Sequence, residues 1–329
     1  MGAIRIGRRR TVAVLLGLLV VVLAIGVAIR NDLRLAGTAF HELDDEIETT
    51  LTRRLDNLNA SLRSLSGMHH AMTRLSQQEL SAFGQEIGRS HPYVRAILQL
   101  RLVDAAERSA YESAFQEAGF PTFAITASHE SGGLVPSPAR PGYMALGFIE
   151  PLDPGLARFL GLDFYSRSSF GDAIDQAVRS GEVAAAPATP IGKDAFLLFK
   201  AVYKGFFVPT TESERSAQVH GVYGLLVDVP AFLADISDSP GLRLSTWNSD
   251  QAVTLFAHPE ATQPDWVARL LPDQHADVDI SLASTRFRVS IDRTLDSRAL
   301  RPAQWITLTT TFVGLYLAGV LVVFTRLRA

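Results

Sequence analysis

Two uncharged apolar runs bracket the chain, Thr11 to Ile29 near one end and Pro302 to Thr325 near the other. A helix needs about 20 apolar residues to cross a hydrocarbon core of about 30 Å, and each run is long enough. The polypeptide between them must therefore fold as a body tethered at both ends. Arg5, Arg8, Arg9 and Arg10 precede the first run, and Arg326 and Arg328 follow the second. Short flanks rich in basic residues stay cytoplasmic, so both termini are expected inside and the middle outside. Residues 31–301 hold all 34 acidic residues but only 24 of the 31 basic ones, a net charge of −10. An acidic exterior argues against nucleic acid as a partner, because phosphate binding needs a basic face.

The first run reads as an uncleaved anchor rather than a signal peptide, since it exceeds the usual apolar h-region and no A-x-A site follows it. Trp305 and Arg326 suit the two interfaces of a second span. The expected layout is a cytoplasmic tail at 1–10, a transmembrane helix at 11–29, a periplasmic or extracellular body at 30–301, a second span at 302–325 and a tail at 326–329. The expected compartment is a bacterial inner (plasma) membrane. The chain has no cysteine, which excludes disulfides, thiol nucleophiles and cysteine-ligated metals. The exterior must rest on its own hydrophobic core.

Residues 30–90 read as a long helical region. Leu51, Leu55, Leu58, Leu62 and Leu65 recur at alternating steps of four and three, with Leu43 and Ile47 upstream. Two uses fit such a seam: packing on the chain's own domain, or a parallel homodimer rising from the membrane. Pro92 ends the pattern. Beyond it the periodicity predicts strands at Tyr93–Val103, Phe120–Ala127, Tyr143–Glu150, Phe196–Tyr203 and Val219–Val229. Helices are expected at Asp104–Ala118, Phe170–Arg179 and from Pro230 to Ile236, with loops at Ser128–Gly142 and Thr210–Ser216. A smaller β-rich set follows, at Leu242–Trp247, Ala252–His258, Asp277–Ala283 and Arg286–Ile291. Strands with interposed helices imply an α+β plan around antiparallel sheets.

No catalytic constellation emerges. His69-His70 are adjacent, so a helix points them apart; they read as surface residues. The nucleophile-elbow, zinc-helix and phosphate-loop signatures are missing from the sequence. The chain is therefore read as a non-enzyme with no cofactor or metal. Glu150-Pro151 and Asp153-Pro154 end a strand, because the residue before proline is held extended. Asp163 and Ser166 are helix-capping types. Ala195 to Tyr203 is apolar on both faces, and so buried.

Four features resemble the CHASE family, the extracellular sensory module of receptor histidine kinases and cyclases. His91-Pro92 opens the first strand. Glu150-Pro151 is followed by Gly161-Leu162-Asp163 and Ser166. A helix bearing Ala173 and Ala177 ends at Gly181, and an apolar strand ends in Val202-Tyr203, with Gly221-Val222-Tyr223-Gly224 on the next strand. The resemblance spans about Pro92 to Asp228. It implies a long N-terminal helix and two PAS-like units, a membrane-distal ligand-sensing unit at 91–236 and a membrane-proximal unit at 237–301.

The resemblance also implies a small-molecule ligand against the distal sheet, with Gln99, Arg101, Asp163, Tyr165, Thr189, Phe199 and Tyr203 as candidate contacts. Ala185 and Ala186 stand where cytokinin-type members carry a hydroxyl, and Ser168-Ser169-Phe170 where many carry Pro-Arg; a cytokinin ligand is not expected. Family outputs are a histidine kinase or a nucleotide cyclase. Only Arg326 to Ala329 follow the second run, so the output is expected on a separate chain or in a missing region. The alternative is a non-sensing membrane scaffold that keeps a PAS-like exterior for interaction.

Overall fold

The computed structural model describes residues 47–71, 76–129, 133–234, 242–248, 251–257, 273–282 and 285–294, with single positions near either end. One compact unit comprises Ile47–Glu260 and His275–Asp292, and almost every described residue belongs to it. The other comprises Met1–Glu46, Ala261–Gln274 and Arg293–Ala329. The two apolar runs fall outside the described residues except for single helical positions, among which Leu23, Val27 and Val313 expose their side chains. Among the described residues no helix is long and apolar enough to cross a membrane.

The chain is helical throughout 47–71 (α1). Its leucine stripe decides where it sits: Leu51, Leu55, Leu58, Leu62 and Leu65 are all buried within this single chain, at no more than 2 % exposure. Of the two uses open to the seam, packing on the chain's own sheet is the one realised. The side of α1 turned away from the leucines is polar, with Arg53, Asp56 and Arg63 exposed. Helix α2 (Gln77–Ser90) starts with a capping box in which Ser76 Oγ accepts from Glu79 N–H and the Glu79 carboxylate accepts from Ser76 N–H.

Five antiparallel strands form the central sheet: β1 (Val94–Asp104), β4 (Gly142–Glu150), β5 (Ala184–Pro187), β6 (Ala195–Tyr203) and β7 (Val219–Asp228). Their order across the sheet is β4-β1-β7-β6-β5. All nine residues of β6 are buried, as its double-sided apolar pattern requires. At Gly221 a Cβ would stand 2.2 Å from the Leu100 carbonyl oxygen, so only glycine lets β7 approach β1 there. The remaining elements are α3 (Arg108–Glu117), β2 (Thr126–Ser128), β3 (Leu134–Pro136), α4 (Pro154–Ala157), α5 (Ser168–Ser180), α6 (Glu212–Gln218) and α7 (Val229–Phe232). A second antiparallel sheet holds β8 (Leu242–Asn248), β9 (Gln251–Ala257), β10 (Asp273–Leu282) and β11 (Thr285–Thr294) in the order β10-β11-β8-β9. Phe196 of β6 meets Phe287 of β11, with ring centroids 5.6 Å apart.

Three local expectations are corrected. Of the strand expected at Phe120–Ala127, only Thr126 and Ala127 fall in β2; Phe123 instead turns back to stack on Phe115, with centroids 4.1 Å apart. The loop expected at Thr210–Ser216 holds the start of α6, opened by a capping box between Thr211 and Glu214. Ala184–Pro187, left unassigned by its weak β propensity, pairs with β6 beneath α5.

Strand alternation gives the central sheet two different faces. On one, α5 lays Phe170, Ile174 and Ala177 over Leu98, Leu100, Phe199 and Leu226 in a single apolar cluster. On the other lie Ile97, Gln99, Arg101, Tyr223 and Leu225, covered in part by α1. Arg54 Nη1 of α1 donates to the Phe232 carbonyl, and Arg63 pairs with Glu182 at 3.0 Å. Lys200, 7 % exposed, donates to the Gly181 carbonyl and lies 3.7 Å from the same Glu182 carboxylate. Burial lowers the Lys200 ammonium pKa, and Glu182 works against that shift.

Candidate functional site

On the α1 face the sheet is incompletely covered. A half-open cavity of about 690 Å³ remains where α1 ends, α2 begins and α3 crosses the far end of β1 and β4. That volume lies within the usual range for small-molecule sites. The end of α1 contributes His69 and His70, β1 contributes Gln99 and Arg101, and α3 contributes Tyr111 and Phe115. Gly147 and Phe148 of β4, Val202 to Phe206 and His220 of β7 complete the wall.

Several of these residues are held from behind. Arg108 fixes α3: it pairs with Glu112 at 2.9 Å and donates to the carbonyls of Ser137 and Ile125, while Glu112 accepts from Ile125 N–H. This presents Tyr111 and Phe115 to the cavity. Tyr111 then lies close on β4, because a Cβ at Gly147 would stand 2.5 Å from its hydroxyl oxygen. Burial raises the Tyr111 pKa to about 12, opposed by Arg101. The Arg101 guanidinium lies over the Tyr111 ring, 5.6 Å from its centroid.

A short polar relay crosses the floor. Gln99 Nε2 donates to the Tyr223 hydroxyl at 3.3 Å, and that hydroxyl lies 3.2 Å from His69 Nδ1. With the amide donating, the hydroxyl proton is free for Nδ1, which leaves the other ring nitrogen as the N–H donor. This assignment needs a neutral ring. Burial, followed by His220 and His70, lowers the His69 pKa to about 4. Burial also lowers His220, with Arg101 and Lys204 adding to the shift, and raises Tyr223. His70 Nδ1–H donates to the Gly205 carbonyl at 3.0 Å. The two histidines thus belong to the cavity, not to a solvated helix surface.

Of the seven residues predicted from sequence, the structure brings Gln99, Arg101 and Tyr203 to this cavity. Tyr203 borders it only by its position at the end of β6; its side chain is buried in the α5-face cluster, with its hydroxyl donating to the Val178 carbonyl at 2.8 Å. The other four are elsewhere, for identifiable reasons. Asp163 is fully buried as a structural pin: it accepts from the N–H groups of Met144 and Tyr165 and from Ser137 Oγ, and pairs with Arg140 at 3.3 Å. Burial raises its pKa, and the Met144 N–H and Arg140 oppose the rise. The Tyr165 hydroxyl donates to Asp175 Oδ1 at 3.2 Å. Phe199 is fully buried, edge-on to Phe164 with centroids 5.9 Å apart. Thr189 is exposed after β5. The α5 face, where most of these residues sit, is filled by phenylalanine rings. Among the described residues, no group of three or more His, Asp or Glu side chains is placed to hold a metal ion.

The family model of the CHASE domain matches residues 73–257, more than half of the chain, and the chain belongs to that family. Comparison with curated proteins finds no match. Among solved structures, the chain is similar to a methyl-accepting chemotaxis protein X at 14 % identity, over 79 % of this chain and 99 % of that one, with a TM-score of 0.43. It is also similar to the extracellular domain of a histidine kinase, mmHK1S-Z3, at 10 % identity, over 84 % of this chain and 97 % of that one, with a TM-score of 0.36.

Proposed function

We propose that this chain is a membrane-anchored extracytoplasmic sensor that binds a small molecule in the cavity on the α1 face. Membership of the CHASE family, a sensory rather than catalytic module of membrane receptors, supports an exterior sensing role. The observation that carries the rest is the place of the cavity. His69 and His70 of α1 form part of its wall, so an occupant touches the helix that leads back toward the first apolar run. A ligand shifts a conformational equilibrium only through unequal affinity for the two states, and α1 is the element through which such a difference would be felt. The apolar runs at 11–29 and 302–325 serve as the spans, with 30–301 outside. The output is a histidine kinase or cyclase contacted through the spans. A homodimer in the membrane would meet through those spans or the polar side of α1.

The absence of cysteine gives a clean test. Ser64→Cys places one label on the exposed side of α1. In the full chain reconstituted in lipid nanodiscs, a panel of small metabolites of differing charge should contain one that changes the label's mobility saturably. His220→Trp, which pushes a larger ring into the cavity between Arg101 and Lys204, should abolish that change. No response to any panel member, or a response untouched by His220→Trp, overturns the reading.

A further inference from the structure

The cavity carries a charge opposite to that of the exterior around it. Among the described residues its charged lining is Arg101 and Lys204, with no carboxylate beside them. Among the described residues, neither cation has a carboxylate within ion-pair distance, although the exterior as a whole is acidic. Arg101 is turned onto the Tyr111 ring instead, which holds its guanidinium in the cavity without neutralising it. The two cations come from opposite sides of β7. Arg101 of β1 pairs with Gly221 of β7, and Lys204 N–H donates to the Gln218 carbonyl just before β7. His220, on β7 between Gln218 and Gly221, feels the field of both. A concave site lined by one sign of charge concentrates the opposite ion.

The rest of the wall defines the remainder of a ligand. Phe115, Phe148 and Tyr111 supply flat apolar surface on the β4 side. The relay from Gln99 through Tyr223 leaves His69 as a neutral N–H donor, a group that binds a carboxylate oxygen without adding charge.

We propose that the ligand is a small organic carboxylate, its anionic end held by Arg101 and Lys204 and its apolar or aromatic body laid against Phe115 and Phe148. The inference rests on the reading of this cavity as the sensing site. The family resemblance placed the ligand against the same sheet but named contacts that mostly lie on its other face; the charge lining the α1 face is what selects the class.

The test uses the full chain in nanodiscs and matched probes: benzoate, phenylacetate, indole-3-acetate and a set of aliphatic mono- and dicarboxylates, each beside its neutral amide. At least one carboxylate should raise the melting temperature by about 5 °C at a hundredfold excess over its Kd, while its amide does nothing. Arg101→Gln should weaken that carboxylate roughly 30-fold or more and leave the unliganded melting temperature within about 2 °C, because the side chain is exposed. If amides bind as well as carboxylates, or if no carboxylate binds, the charge assignment is overturned. An amide hit that His220→Trp abolishes would leave the cavity standing as the site. A carboxylate shift indifferent to both Arg101→Gln and His220→Trp would remove site and ligand class together.

Discussion

The two faces of the central sheet are built from the same strands and do opposite things. Along β1, Leu98 and Leu100 turn to α5 while Gln99 and Arg101 turn to the cavity. Along β6, Phe199 enters the phenylalanine cluster while Val202 lines the cavity wall. The α5 face closes because large rings interdigitate there, with Phe164 stacked on Phe170 at 4.9 Å. The α1 face closes only as far as the leucine stripe reaches. Beyond Leu65 the helix offers Ser66, Gly67, Met68 and two histidines, and the cover over the sheet becomes polar and incomplete. A face packed to crystal density has no room to respond to a solute, whereas a face left open at one end does.

That contrast is best broken from the packed side. Phe199→Ala should destabilise the fold by about 4 kcal/mol, the cost of removing a fully buried ring from a core that cannot collapse around the gap. Urea unfolding followed by far-ultraviolet circular dichroism measures it. A loss below about 1 kcal/mol would mean the α5 face is not the rigid one. On the open face, Tyr223→Phe deletes only the hydroxyl between Gln99 and His69 and should cost about 1 kcal/mol. The same unfolding curves report it, and a cost equal to that of Phe199→Ala would erase the distinction between the faces.

The smallest expected effect is on pH dependence. His69 has its pKa lowered to about 4 in the folded protein, against 6.5 for the free side chain. The unfolded chain therefore binds the proton more readily, and stability rises with pH in this range. The contribution is complete above about pH 6.5 and is lost as pH falls toward about 4. His220 and His91, both lowered mainly by burial, act in the same direction. His69→Gln should flatten, without abolishing, the fall in melting temperature between pH 7 and pH 4.5. An unchanged slope would show that the ring is already solvated and that the relay does not hold it neutral.

Much of the architecture was legible because single elements carry it. The four-three spacing of leucines announces α1, and the unbroken apolar run from Ala195 announces a strand buried on both sides. The start of α6 was also written in the chain, as Thr211-Glu212-Ser213-Glu214, a threonine with glutamate three residues on; it was hidden by its polar setting. The edge strand β5 was not legible, since an alanine run carries no period and is extended only because β6 and α5 enclose it. For the candidate site, Gln99 and Arg101 stand out in sequence because they break the apolar alternation of β1. Phe199 is ambiguous in sequence because a ring on an apolar strand reads the same whether it borders a cavity or fills one. His69, Tyr111, Phe115 and His220 were missed for a different reason. They come from three elements far apart in sequence, and only the docking of α1 and α3 on one face makes them neighbours.

The leucine stripe has one further consequence. Five side chains seated with almost no residual exposure do not allow α1 to glide over the sheet; intermediate positions leave knobs without holes. Arg63 on Glu182 and Arg54 on the Phe232 carbonyl mark its present seat. The next comparable seat lies one helical turn away, about 5.4 Å along the axis. Any travel of α1 would thus be a detented movement between discrete stops, with a digital rather than a graded character.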